Sequence, residues 1–413
     1  MKVRRLEMTS FRGFRELTLE FNGPMTVLVG TNGAGKTSIL DCLAVLLSQV
    51  SSGIMSGTGH GRRFYESDIQ YGQPHTLNSV EAAFGEKLIK WSLALVRKGM
   101  PRNVSSNLTG LKEIITHVQE ENALGRYQLP LAIYYPVNRA PDVPSRIREQ
   151  HEFGPLSAFD QALEGGGRNF RLFFEWFRER EDLENQQSRR LEDYGYRDGQ
   201  LEAVRGAIAG LVPGMWGIQV ERAPQRMVIL KDDAPDARLE VNQLSDGEKT
   251  LLAMAGDLGR RLAMANPSLE NPLLGEAVVM IDEIELHLHP GWQRLVVERL
   301  RKTFPNCQFI LTTHSPQVLS QVPAESVVLL DRFQRAEPSA GTLGRDSNSI
   351  LTEVMGVPER PEATAQRIQE IARMIDREEL PEARRALEEL ARQLGEQDSE
   401  VVRLRALIGF LDA

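Results

Sequence analysis

One segment of this chain has the residue types and spacing to hold a phosphate. Gly30-Thr31-Asn32-Gly33-Ala34-Gly35-Lys36-Thr37 fits G-x-x-x-x-G-K-[ST], placed after a short apolar run and before a helical stretch. The glycines let such a loop curl, so that the backbone N–H groups of Asn32, Gly33, Ala34 and Gly35 turn inward toward phosphate oxygens. The helix starting near Lys36 adds the positive end of its dipole. Lys36 is expected to reach the β- and γ-phosphates, Thr37 to ligate Mg²⁺, and Ser38 to be a weaker neighbouring contact. A second segment, Ala277 to Ile281, is an apolar run that ends in Asp282 and Glu283. An acid at the mouth of a buried strand is expensive without a partner, and Mg²⁺ is the natural one for Asp282. Glu283 is then placed to orient or deprotonate an attacking water.

Two weaker signals accompany these. Ser245 and Gly247, in Leu244-Ser245-Asp246-Gly247-Glu248-Lys249, put a hydroxyl and a bare backbone N–H at a helix start. The same pattern is also an ordinary capping box, with Glu248 in the third helical position. His314 follows an apolar run and is a candidate γ-phosphate contact, although a lone His there is usually structural. His287 and His289 are spaced i, i+2, which points two imidazoles away from each other and argues against a shared metal.

The elements that must position these residues alternate strand and helix, which predicts an α/β fold with a mixed, largely parallel sheet. Strands are expected over 1–30, Leu131–Tyr135, around Gln219–Val220 and Met227–Leu230, and over Ala277–Ile281, Cys307–Leu311 and Val327–Leu330. Helices are expected over Ser38–Val50, Glu248–Ala265 and Pro290–Lys302. Residues 51–62 read as a Gly- and Ser-rich mobile loop. From Arg168 to Arg205 eight Arg face nine Asp and Glu, the balance of a solvated helical arm rather than a basic nucleic-acid track, with Phe170, Phe173, Phe174 and Phe177 as an apolar face packed on the body. Beyond 362, three apolar stripes predict three helices, the last carrying Leu404, Leu407, Ile408 and Leu411. The expected division is 1–140 and 216–335 as two lobes of one head, 141–215 as a helical arm or lid, and 345–413 as a helical docking segment.

The 413 residues are 41% hydrophobic and 26% charged, an ordinary globular composition. A net charge of −8 gives no global pull toward nucleic acid or anionic lipid, and leaves only a local basic groove open. Cys42 and Cys307 stand in apolar surroundings and read as core residues. With no signal-like N-terminus and no run of about 18 apolar residues, a cytoplasmic protein without membrane spans is expected.

In this order, the four motifs resemble the set of the ABC-type ATPases. The run Asp282-Glu283-Ile284-Glu285-Leu286-His287-Leu288-His289-Pro290 is similar to the RecF/SMC/OLD branch. Tyr134-Tyr135-Pro136-Val137-Asn138-Arg139, the stretch from Phe173 to Asn185, Phe304 to Phe309, and Gly344 to Leu351 resemble PtuA-like ATPases of Septu and retron-associated anti-phage systems. The resemblance implies ATP and Mg²⁺ as cofactors and a composite site in a homodimer or higher homo-oligomer. Lys36, Thr37, Asp282, Glu283 and His314 would act from one subunit, Ser245 and Gly247 from the other. It implies Arg12 beside the nucleotide, although a surface salt bridge explains that residue equally well. A glutamine that completes the Mg²⁺ and water shell is not placed: Gln70 is early, and the Asn138-Arg139 region lies at a better position. It further implies an ATP-driven switch acting on a nuclease partner of the HNH type. The alternative is a RecF-like DNA-binding ATPase of DNA repair. An OLD-type nuclease is disfavoured, because no strand-borne acid cluster follows His314.

Overall fold

The computed structural model describes residues 1–57, 61–137, 153–164, 168–223, 225–232, 234–336 and 341–411. The chain divides into two compact units, Met1–Ser347 and Asn348–Ala413. The first begins with β1 (Lys2–Phe11), β2 (Phe14–Glu20), β3 (Met25–Gly30) and helix α1 (Lys36–Ser56). Strands β4 (His75–Phe84) and β5 (Lys87–Val96), helix α2 (Thr109–Ala123) and strand β6 (Leu131–Tyr135) follow. Helices α3 (Arg168–Leu191) and α4 (Gly199–Leu211) lead to a small antiparallel sheet of β7 (Met215–Arg222), β8 (Gln225–Lys231) and β9 (Ala234–Glu240). Then come α5 (Asp246–Ala265), β10 (Ala277–Ile281), α6 (Pro290–Thr303), β11 (Gln308–Thr313), the single turn α7 (Pro316–Leu319), β12 (Val327–Asp331) and β13 (Gln334–Ala336).

The central sheet has the order β13-β12-β3-β11-β10-β6, and β13 is its antiparallel member. Strands β6, β10 and β11 are buried along their whole length and β3 up to its last residue, as continuous apolar runs require when both faces are covered. Val29 pairs with Thr313, and Ile281 pairs with both Leu311 and Tyr135. Parallel pairing in this register brings the carboxyl ends of β3, β11, β10 and β6 to one edge, where open α/β sheets bind ligands.

Helix α1 touches strands of both the central sheet and the antiparallel sheet β2-β1-β4-β5. It buries Ile39, Leu40, Leu43, Leu46 and Leu47 as expected, and also Cys42, Ala44 and Val45 on its other sides. A helix held between two sheets must be apolar nearly all round. For that reason α1 is long and apolar enough to cross a membrane by composition, which the expectation of no such segment missed, yet 72% of its apolar window is buried inside the protein. The expected loop over 51–62 is corrected as well. The helix runs on to Ser56, and at Gly53 it lies close to α2, where a Cβ would meet Ile115 Cδ1 at 2.2 Å. Both cysteines are buried, and burial pushes the Cys307 thiol up to about 12.

The Phe face of the 168–205 stretch packs on the body as expected, while its charges are less solvated than an arm would have them. Helices α3 and α4 both pack on α5, and Phe170, Phe173, Phe174, Trp176 and Phe177 are buried. Much of the charge points inward too. Glu181, Glu184 and Asp198 are less than a tenth exposed and pair with Arg222, Arg205 and Arg180 respectively. A balanced charge count describes an internal ion-pair network as well as a wet surface, and composition alone does not separate them.

Helix α8 (Ser347–Glu353) stands at the junction with the second unit, which holds α9 (Glu362–Asp376), α10 (Leu380–Leu394) and α11 (Ser399–Leu411). Their stripes bury one another: Ile368, Ile371 and Ile375 meet Leu387, Leu390, Val401, Leu404 and Ile408. Arg360 ties the start of this unit to Asp398 at 3.0 Å. Of the expected third stripe, Leu407 and Leu411 are 41% and 48% exposed, and Phe410 is 80% exposed. Val401 takes the inward place instead.

Candidate nucleotide site

The loop after β3 turns sharply. Gly33 and Gly35 have φ of 82° and 102°, a region that disfavours side chains. Gly35 caps α1, and a Cβ there would lie 2.4 Å from the Phe14 ring. Thr31, Asn32 and Gly33 form the exposed rim, whereas Ala34 and Lys36 are buried. The Lys36 ammonium donates to the carbonyls of Gly30 (2.9 Å) and Thr31 (3.1 Å), so it lies along its own loop. Burial lowers its pKa below the usual lysine value, and the carboxylates of Asp282, Glu283 and Glu285 partly oppose that.

One strand over, Asp282 is 1% exposed. Its backbone N–H donates to Tyr135, and its carboxylate accepts from Thr312 Oγ1 (2.6 Å) and Thr37 Oγ1 (2.8 Å). The second contact tests the Mg²⁺ assignment. Neighbouring oxygens of an octahedral Mg²⁺ are about 2.8–3.0 Å apart when each bond is about 2.0–2.1 Å. The Thr37 hydroxyl and Asp282 Oδ2 already stand at that separation, so the pair fits a hard divalent cation. Glu283 adopts the left-handed conformation (φ 48°) that non-glycine residues rarely take, and its N–H donates to Thr312 Oγ1 (2.7 Å). Thr312 thus holds both acids from the neighbouring strand. His314 follows β11 directly, half-buried, and burial followed by the Lys36 charge lowers its pKa against the pull of Glu285, Glu283 and Asp282.

The Ser245 segment is in the same unit, at the start of α5, where Gly247 packs against the stretch after β10. Ser245 Oγ and N–H both bond Glu248 Oε2 at 2.8 Å, Lys231 holds the other Glu248 oxygen at 2.9 Å, and Ser245 and Asp246 are exposed. The capping box is therefore present, and it presents the start of α5 to solvent. Gly247 is buried, packed so closely on the His287 carbonyl that a Cβ would lie 2.5 Å from it.

The sequence is similar to those of known ATPases. An AAA domain family matches residues 5–209, and an AAA domain family described for the AbiEii toxin of Type IV TA systems matches 168–320. A retron Ec83 probable ATPase of Escherichia coli is 28% identical over 98% of this chain and 86% of its own. A Septu protein PtuA of Bacillus thuringiensis is 22% identical over 91% and 90%. A DNA replication and repair protein RecF of Mannheimia succiniciproducens is 32% identical over 27% and 28%. The chain is an ABC-type ATPase of the RecF/SMC/OLD branch. It therefore binds nucleotide and hydrolyses ATP.

Within this ATPase, Arg12 stands beside the phosphate-loop helix but is committed to carboxylates. It pairs with Asp41 (2.7 Å) and Asp68 (2.9 Å), and its Nη1 also reaches Ser38 Oγ at 3.4 Å. Burial would lower its pKa, and the two aspartates outweigh that and raise it. Gln70 donates to the Gly13 carbonyl (3.2 Å), while Asn138 and Arg139 lie outside the described residues. His289 Nδ1 caps α6 by accepting from Gly291 N–H, and no group of three metal-ligating side chains is found among the described residues. Thr312 and Glu285 are the functional-edge residues that sequence reasoning did not single out. Thr312 reads as a β-branched strand residue, and only the strand register shows which acid it faces.

Proposed function

We propose that this ATPase closes as a homodimer around ATP, with Mg²⁺ held by Thr37 and Asp282, and that closure controls a nuclease partner of the HNH type in anti-phage defence. When bound, Mg²⁺ would screen phosphate charge; Lys36 would bind the β- and γ-phosphates, Glu283 would orient water and His314 would touch the γ-phosphate. The observation that carries the reading is the exposed start of α5. Ser245 is bonded within its own capping box and offered outward, which suits a phosphate presented by a second subunit. The similarity to retron and Septu ATPases supports the defence setting. A RecF-like hold on duplex DNA finds no support in the net charge of −8.

The test is Glu283→Gln in analytical ultracentrifugation with ATP. Turnover is expected to fall by about 10²- to 10⁴-fold, with dimers accumulating, and Ser245→Arg added to it should abolish the dimers. A Glu283→Gln protein that stays monomeric at saturating ATP sinks the reading. The same proposal gives the outward apolar groups of α11 to partner docking. A chain ending at Glu359 should still bind ATP but lose capture of the nuclease in light scattering; unchanged capture removes the docking role.

A further inference from the structure

His314 is placed from behind, and the residue that does so lies three positions beyond the acid Asp282. The chain turns sharply after β10: Ile284 N–H donates to the Thr312 carbonyl (3.1 Å) and Leu286 N–H to the Glu283 carbonyl (3.0 Å). This turn aims the Glu285 side chain at the end of β11. There its two carboxylate oxygens are both used. Oε2 accepts from Thr313 Oγ1 at 2.7 Å, and Oε1 accepts from the backbone N–H of His314. The Thr313 hydroxyl in turn accepts from Ser315 N–H at 3.0 Å. Three consecutive residues are therefore fastened to one carboxylate. The His314 imidazole itself makes no hydrogen bond among the described residues, so its position is set through its backbone.

The chemistry of the clamp is specific. The bonds are charge-assisted and bidentate, the kind that fixes geometry as well as adding strength. They reach across from the loop that carries Asp282 and Glu283 to the segment that carries His314. The two halves of the catalytic edge thus share one rigid joint. We infer that Glu285 is a positioning residue for ATP hydrolysis, which holds His314 in register with Glu283 and the γ-phosphate. The inference rests on the reading of His314 as a γ-phosphate contact.

The test compares Glu285→Ala, Glu285→Gln, Thr313→Val and His314→Ala in steady-state ATPase assays, with thermal melting as a check of folding. Glu285→Ala should lower kcat by about 10- to 100-fold, the scale of a misplaced catalytic group, with KM for ATP within about twofold. Glutamine can still accept from His314 N–H and donate to the Thr313 oxygen, so Glu285→Gln should retain most of the activity; Thr313→Val should fall between. Combining His314→Ala with Glu285→Ala should add nothing to His314→Ala alone, because residues acting through one another are not additive. Four results overturn the inference: wild-type kcat in Glu285→Ala, equal losses in its Ala and Gln variants, a loss carried by KM or by melting, or full additivity in the double variant. Wild-type turnover in His314→Ala instead removes the underlying reading of that histidine, and this inference with it. Loss in His314→Ala beside normal Glu285→Ala rejects the clamp alone.

Discussion

Two buried clusters in the ATPase unit use similar residues and arrive at opposite chemistry. In the middle of α5, Asp257 is fully buried with Arg260 and Arg261. Its carboxylate accepts from Arg260 Nη2 (2.8 Å), Arg261 Nε (2.8 Å) and the Tyr135 hydroxyl (3.0 Å), and Arg261 also donates to the carbonyls of Ala158 and Asp160. Burial alone would raise the Asp257 pKa; the two guanidiniums outweigh it and hold the carboxyl below the usual range. At the nucleotide edge the charges are held by neutral groups instead. Lys36 rests on carbonyls, and Asp282 is held by the hydroxyls of threonines. A buried charge bonded directly to opposite charges is committed to the fold. A charge steadied by carbonyls and hydroxyls can exchange those partners for phosphate or metal at little expense.

The comparison can be broken from either side. Lys36→Ala should have the largest effect. Removing a partly buried, hydrogen-bonded charge partner costs about 2–5 kcal/mol, or roughly 30- to 4,000-fold in nucleotide Kd by calorimetry, with little change in melting. Unchanged affinity would overturn the site assignment. Asp257→Ala should do the converse. It strands two buried guanidiniums and should destabilise the protein by about 3–5 kcal/mol in denaturant melts, with nucleotide Kd nearly unchanged in the fraction that folds. If affinity falls with stability intact, the α5 cluster belongs to the site. The smallest effect belongs to Tyr135→Phe, which deletes one donor of that cluster and should cost about 1 kcal/mol in the same melt. A larger loss would mean that Tyr135, whose carbonyl also accepts from Asp282 N–H, joins the two clusters.

The sequence showed the chemistry better than the framework around it. The phosphate loop, the acid strand and the His314 segment each combine an apolar run with an unusual polar end, and such signals are local. Their convergence on one edge follows from parallel pairing. What stayed hidden depended on polar residues turned inward. The hairpin of β4 and β5 was not expected, because β4 buries Thr76 and Asn78 beside Val80 and Ala82, which hides the apolar alternation. Thr76 Oγ1 donates to the Thr9 carbonyl and accepts from Asn78 Nδ2, a pairing invisible without the fold. The α3 acids were misjudged for the same reason. Glu285 was in plain view, but its role needs β11 alongside.

The order of strands in the central sheet also bears on how the protein is made. Strand β3, which carries the phosphate loop, is flanked by β11 and β12, and Val29 finds its neighbour Thr313 only 284 residues later. At a synthesis rate of about 5–20 residues per second, roughly 15 to 60 seconds separate the two. Through that interval α1, apolar nearly all round, has β4 and β5 of the antiparallel sheet and β3 and β6 of the central sheet available, and lacks β11. Contacts of such long range are slow to form and leave sticky surface exposed meanwhile. The architecture that gathers distant residues onto one catalytic edge therefore makes the nascent chain dependent on protection until its last parallel strands emerge.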